Sequence, residues 1–537
     1  MTDNLDEIKG DYIGKTASNE DDRPDFDGIP VWIDPSPENQ EKLGATNLAD
    51  PDLNSFLIIE RDGSELLQYG RVSGGYEYSP RADPSRQQRD QSMGFNNRPI
   101  RESELDEDLF RVAEVEPLGE IHYEDDEYKT RRPTKLPQVG QKVYELGARQ
   151  LESLLDMPEP GTGLEVGNIE SGGESVKFRL DSKVMSRHVA VLGRTGVGKT
   201  YTGHVFIEEL INYDSDAEEV PVDDPGVPVI TFHIEDDVRK MADDVDGTTL
   251  DPTGDMDVPF QLIGWSQYNG FIGDIPTDKQ RQIIGRAYAR IHREALDQLE
   301  EDGTIGVNLN EFITYIKEAC DEVGYNRKDQ TVNRALAPMT NNGVLGADTE
   351  DWESLLLDNP IVNINMGGLG DSMRGVVISA VARMLRILRE ENQVPPFVLV
   401  IDEAHEFVPS GQSNPSTAVV RDLVKTARHI GVGVMLLTQS PSELDSRTLR
   451  TCNTYITLAL SDKEVKEIEG LLSDLSDRAL EQIPNMEQGR AFVGTARDIM
   501  THTVPVKIRE RMTKGGSDTP DLTEEASEWR DANENDD

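Results

Sequence analysis

Residues 189–203 read VAVLGRTGVGKTYTG, and this stretch decides the fold. Four apolar residues predict a buried strand, and the residues from Lys199 onward predict a helix. Between them, Gly193-Arg194-Thr195-Gly196-Val197-Gly198-Lys199-Thr200 fits the phosphate-binding pattern G-x-x-x-x-G-K-[ST] in its required strand–loop–helix setting. Glycines let successive backbone N–H groups turn inward around phosphates, and the helix N-terminus adds positive potential. Lys199 is placed for the β- and γ-phosphates, and the Thr200 hydroxyl for Mg²⁺. Residues 193–201, ending in Tyr201, form the expected ATP-binding segment.

Outward from this loop, strand and helix patterns alternate, as in a parallel α/β sheet. VPVITFHI, NPIVNINM, PPFVLVID, VGVMLLTQ and TYITLAL read as strands; DSMRGVVISAVARMLRILREE and AVVRDLVKTARHIG read as helices. Residues from about 240 to 350 read as mostly helical, a helical insertion whose clearest member is DKQRQIIGRAYARIHREALDQLEE. The strand ending in Asp402 brings a carboxylate to the sheet edge where the phosphate loop lies. Asp402 is the expected second Mg²⁺ ligand, and Glu403 the group that orients or deprotonates the attacking water. Gln439, at the polar exit of VMLLTQ, can sense the γ-phosphate or position water; the alternative is a plain polar strand end.

The letters Asp402-Glu403-Ala404-His405 also occur in two-lobed monomeric helicases. The residues after Asp402 complete one sheet and leave no room for a second lobe, so the arginine that assists hydrolysis must come from another copy. That reasoning predicts a ring. NRKD at 326–329 misplaces the lysine of a guanine-reading motif, and ESGGES at 170–175 precedes both phosphate motifs, unlike an ABC signature.

The whole chain of 537 residues carries a formal charge of −48, with 102 acidic against 54 basic residues. Such a charge fits either a disordered chain or a folded one bathed in concentrated salt, which screens self-repulsion. The buried-type apolar runs favour folding, and the scarcity of lysine, 18 of the 54 basic residues, points to a halophilic archaeon. Cys320 and Cys452 stand in no metal spacing and fit a reducing compartment. Without an apolar leader or a run of ~20 apolar residues, a soluble, cytoplasmic protein is expected. Residues 1–30 and 511–537 read as disordered acidic tails, residues 31–141 as a β-rich, barrel-like domain, and 142–510 as the ATPase domain. KVYELGARQLESLL, from 142, reads as a short amphipathic helix. A loop with Arg81, Arg86, Arg89, Arg98 and Arg101, and KTRRPTK at 129–135, are local basic spots that either serve a partner or balance nearby carboxylates.

RHVAVLGRTGVGKT, LVIDEAHEFVP, TARHIGVG, LLTQSPSEL and TCNTYI together resemble the HerA family of the HerA–FtsK group, across about residues 140–510. The resemblance implies a RecA-like P-loop core with a helical insertion and an N-terminal β-barrel. It also implies a homo-hexamer with ATP between subunits, movement along double-stranded DNA, and a NurA-like nuclease partner in trimming DNA ends for repair. It points to Arg428 as the residue reaching the neighbouring subunit's phosphates, with Lys425 the second choice and a surface salt bridge the alternative. FHIEDD replaces the family's Asp-Pro-His-Gly-Glu-like turn, and ITLALSD lacks an arginine often found after the last motif. Two other classes stay open: an ATPase of this fold acting in a protein-remodelling or defence assembly, and a non-catalytic ATP-binding scaffold, against which Lys199, Asp402 and Glu403 argue.

Overall fold

The computed structural model describes residues 8–17, 24, 28–34, 51–61, 66–78, 110–124, 127–171, 174–214, 216–217, 219–221, 226–234, 237–272, 277–411 and 415–513. The chain divides into two compact units, one of residues 1–181 with 461–509, the other of residues 182–460 with 510 onward.

The second unit is the parallel α/β core expected from the phosphate loop. Its strands lie side by side in the order Thr248–Leu250, Ile361–Asn365, Val229–His233, Phe397–Ile401, Val432–Thr438, Val189–Leu192 and Thr454–Thr457, every neighbouring pair parallel. The central strands are apolar throughout because helices cover both faces of such a sheet; all residues of Val189–Leu192, Phe397–Ile401 and Val432–Thr438 are buried. The helices Lys199–Leu210, Asp371–Glu390 and Pro415–Ile430 fall where the 3.6-residue periodicity places them. Between the paired strands Thr248–Leu250 and Ile361–Asn365 lies the helical insertion, chiefly Asp278–Asp302, Leu309–Glu322 and Lys328–Asn342. Its long first helix starts at Thr277, whose side chain accepts from the Gln280 N–H, and stops at Gly303 with φ 71°. Phe260, Tyr268, Tyr288 and Phe312 form its aromatic centre, with the Tyr268 and Tyr288 rings stacked at 4.5 Å. The three-residue strand at 248–250 is too short to show inside a segment read as helical.

The first unit departs from the linear division expected of the sequence. Its larger sheet runs Ile29–Ile33, Lys9–Thr16, Lys142–Leu146, Phe56–Glu60, Leu67–Tyr78, Phe110–Glu124, Glu127–Arg131, antiparallel throughout. Ile29–Ile33 pairs also with Phe110–Glu124, which returns the order to its start. Ile13, Val31, Leu57, Val72, Val115 and Val143 form the core between these strands. Four expectations are corrected here. Residues 9–16, placed in an acidic tail, are a strand, because Ile13 and Thr16 bury while the acidic neighbours stay at the surface. Residues 142–146, read as the start of a helix, are a strand paired on both sides; Val143 and Leu146 bury, and the helix begins only at Ala148. The ATPase unit starts near residue 182 rather than 142 and ends near 460 rather than 510. A second antiparallel set, Arg490–Gly494, Val504–Ile508, Leu164–Ser171 and Glu174–Leu180, explains both shifts, since residues 490–508 complete the hairpin at 164–180. Finally, residues 511–513, read as tail, are ordered against the ATPase unit. Residues 1–7 and 514–537, and the loop carrying Arg81, Arg86, Arg89, Arg98 and Arg101, lie outside the described residues. In the second basic spot, Arg131 pairs with Glu120 at 3.1 Å and Lys129 with Glu124 at 3.5 Å, so these cations balance local carboxylates.

Candidate nucleotide site

The loop after Leu192 is held by both flanking strands: the Gly193 N–H donates to the Thr438 carbonyl at 3.2 Å and the Arg194 N–H to Ala459 at 2.9 Å. Gly196 and Gly198 then adopt φ of 81° and 99°, the left-handed region open to glycine at little cost. The helix Lys199–Leu210 is capped by Gly198, which offers no side chain to its first-turn N–H groups. Those donors and the helix dipole form an anion seat.

Asp402 follows the buried strand Phe397–Ile401, and three groups converge on it. The Thr200 hydroxyl lies 3.3 Å from Oδ2, His233 Nε2 3.1 Å from Oδ2, and Lys199 Nζ 3.5 Å from Oδ1. Burial would raise the Asp402 pKa, but the bond from His233, the charges of Lys199 and His233, and the Glu403 N–H hold it below the usual carboxylate range. The group is therefore ionised at any working pH, as a metal ligand must be. Among the described residues no cluster of three or more His, Cys, Asp or Glu could hold a metal by itself. Thr200 and Asp402 thus suit a Mg²⁺ ion that takes its remaining ligands from phosphate and water.

Glu403 stands at φ 46°, ψ 45°, a strained conformation for a side-chain-bearing residue. Its Oε1 accepts from Lys199 Nζ at 2.6 Å, while Oε2 is shielded from solvent without a hydrogen bond, His405 Nδ1 lying 3.5 Å away. Lys199 is itself only 6% exposed. Lys199 and Glu403 thus form a close ion pair beside the phosphate loop.

The strand Val432–Thr438 lies between the strands bearing the two motifs. This puts Gln439 between loop and carboxylates, where its Oε1 accepts a short hydrogen bond from the Thr195 hydroxyl. Thr438 Oγ1 meets His405 Nδ1 at 3.2 Å, tying the Asp402–His405 turn to the same strand. The loop residues 193–200, Asp402, Glu403 and Gln439 are thus brought together, with Tyr201 at the rim, 39% exposed. Arg428 is not among them. It is exposed on the helix Pro415–Ile430, as is Lys425, and its charge acts on His188, the residue before the phosphate-loop strand. Arg428 therefore sits at the opposite edge of the sheet from the phosphate loop of its own copy. His233 is the site residue that sequence reading missed. Its strand is legible, but the parallel register that pairs Phe232 with Ile401, and so sets His233 beside Asp402, is not.

Residues 164–385 match the family model described as Helicase HerA, central domain, and residues 385–461 match that of Zonular occludens toxin. A probable helicase of Methanocaldococcus jannaschii is 22% identical over 417 residues, 73% of this chain and 76% of that protein. The DNA double-strand break repair helicase HerA of Sulfolobus acidocaldarius is 22% identical over 498 residues, 89% of this chain and 92% of its own. Among solved structures, VirB4 of Thermoanaerobacter pseudethanolicus superposes with a TM-score of 0.48 at 17% identity, covering 66% of this chain and 98% of that one. With a complete phosphate loop facing Asp402 and Glu403, the chain is a P-loop ATPase, similar over residues 164–385 to the central domain of the HerA helicase.

Proposed function

We propose that this protein is an ATP-driven translocase on double-stranded DNA, working as a ring of six copies beside a NurA-like nuclease in the trimming of DNA ends. The observation that carries the reading is the division of cations: Lys199 serves the phosphates within one copy, while exposed Arg428 faces away from them. In a ring, Arg428 of one copy reaches the phosphates of the next, with Lys425 one turn away as the second candidate. The relatives named as HerA repair helicases supply the DNA substrate class. The antiparallel set closed by the pairing of residues 29–33 with 112–115 fits the β-barrel of that family.

In the reaction, β- and γ-phosphates draw Lys199 from Glu403, and the released carboxylate orients and deprotonates water for in-line attack. Asp402 and Thr200 would hold Mg²⁺, which would supply positive charge to offset that developing on the phosphate oxygens. Gln439, already bonded to the loop through Thr195, is placed to report the γ-phosphate to the strand behind it. A charge of −48 opposes DNA binding, and high salt screens that repulsion within a few ångströms, ~3 Å at 1 M. A cytoplasm rich in salt is the setting in which such a chain works.

The test is ATP hydrolysis in high KCl with and without linear duplex DNA, for wild type and Glu403→Gln. Stimulation by DNA that disappears in the variant supports the motor. Hydrolysis sensitive to the variant but indifferent to DNA replaces it with the reading of a protein-remodelling or defence ATPase. Mixing Lys199→Ala with Arg428→Ala copies checks the ring: activity recovered in mixtures requires arginine donation between copies.

A further inference from the structure

We infer that Arg511, with Tyr201, forms the nucleoside subsite of the ATPase, so that a segment more than a hundred residues beyond Asp402 in the sequence completes the nucleotide pocket. The inference rests on the nucleotide reading of the phosphate loop and extends it from phosphate to base.

Residues 510–513 run along the phosphate-loop helix. Tyr201, His204 and Glu208 form one stripe of that helix, at i, i+3 and i+7, and each holds part of the segment. The Arg511 N–H donates to the Tyr201 hydroxyl at 2.6 Å, and Arg511 Nη1 lies 3.0 Å from His204 Nδ1. Fully buried Glu208 accepts from the Met512 N–H, the Thr513 N–H and the Thr513 hydroxyl at 2.9, 2.7 and 2.7 Å, all on Oε1. Burial, followed by the charges of Arg511 and His233 against that of Asp402, pushes the His204 pKa down to about 3. The ring is therefore neutral, and Nδ1 can accept from the guanidinium. His204 thus holds the guanidinium itself, and the three bonds on Glu208 pin the chain just after it.

What that guanidinium faces follows from the order of parts in a nucleotide. The loop N–H groups take the β-phosphate, the first helical turn takes the α-phosphate, and the nucleoside leaves past the side chain after Thr200. That side chain is Tyr201, an aromatic ring 39% exposed at the rim, and the Arg511 guanidinium lies 5.5 Å from its centroid. A planar cation over a planar ring offers two flat groups, and a flat, electron-rich heterocycle stacks on either. A phosphate-directed role would place the cation at the loop, where Lys199 already stands. A purine base is therefore the ligand class for the Tyr201–Arg511 pair.

Calorimetric titration of the full-length protein in high KCl separates base from phosphate, using ATP and inorganic tripolyphosphate as the two ligands. Arg511→Ala and Tyr201→Leu are expected to weaken ATP about tenfold, the scale of one lost base-stacking contact, while tripolyphosphate changes less than about twofold. Arg511→Lys keeps the charge and the main-chain bond to Tyr201 but lacks the planar group, so a smaller loss confined to ATP is expected; it also guards against a folding defect in Arg511→Ala. Equal weakening of both ligands would reduce the segment to a clasp on the helix and overturn the inference, as would unchanged ATP affinity in both variants. Wild type that binds neither ligand, or Lys199→Ala that binds both as wild type does, would instead bring down the phosphate-loop reading and this inference with it.

Discussion

The two units of this chain are built from the same amino acids and obey opposite rules of order. In the ATPase unit the strands all run parallel, and the central ones are short apolar runs that alternate with helices. In the other unit strands pair across long gaps: Lys142–Leu146 lies between Lys9–Thr16 and Phe56–Glu60, and Leu164–Ser171 finds a partner in Val504–Ile508. Its buried polar groups are paired over similar distances. Arg71, fully buried, donates to Glu116 at 2.6 Å, and Glu116 also accepts from the Ser476 N–H at 2.9 Å. One unit concentrates its chemistry at strand ends, and the other uses charge to join remote pieces of chain.

That contrast predicts which substitutions stop catalysis and which loosen the fold. Glu403→Gln should lower hydrolysis by roughly 10²–10⁴-fold, the usual worth of a positioned base, while nucleotide affinity holds or rises because Lys199 loses its competitor; measured turnover and binding together check this. A drop in affinity matching the drop in rate would mean that the Lys199–Glu403 pair is structural. Arg71→Met should leave Glu116 buried without its cation and cost about 3 kcal/mol by denaturant unfolding, with the phosphate loop still competent to bind nucleotide. Loss of nucleotide binding at equal folded fraction would erase the proposed separation of roles.

Protonation sharpens the comparison further. His188 is kept neutral, pushed down to about 4 by burial, then partly restored by its bond to the Val424 carbonyl and lowered again by Arg428. Its Nδ1 accepts from the Val434 N–H at 3.2 Å, so the proton resides on Nε2. The unfolded histidine titrates near 6.5, hence the unfolded state binds the extra proton first. Stability conferred by this group is intact above about 6.5 and falls as pH drops toward 4. His188→Gln should flatten that part of the stability–pH curve; an unchanged slope would assign the loss to other groups. The smallest effect belongs to Lys129→Ala, which removes an exposed partner of Glu124 and should change stability by no more than about 0.5 kcal/mol.

These regions also differ in how much of them can be read from the letters. The phosphate loop, its strand and helix, and the Asp402–Glu403 pair are contiguous words whose chemistry depends on spacing alone. Gln439 is legible as a strand end, though its place between loop and carboxylates needs the strand order. His233 and Arg511 are invisible for the same reason: their roles arise from register and from a chain return, neither of which leaves a local period. In the antiparallel unit KVYEL looked helical because only two of its five residues are buried, and Lys9–Thr16 looked like tail because its neighbours are acidic. An apolar alternation of two or three residues is too weak a signal without its partners beside it.

The interrupted course of that unit has a consequence for its birth on the ribosome. Residues 182–460 emerge as an unbroken block and can fold as soon as they are free. Residues 1–181 must wait for 461–509, a delay on the order of tens of seconds at common elongation rates. During that interval the strand Leu164–Ser171 presents an edge that Val504–Ile508 will later cover, and open edges invite wrong pairing. The nascent chain therefore passes through a period in which every strand of its ATPase sheet has been made while its companion still lacks two of its own.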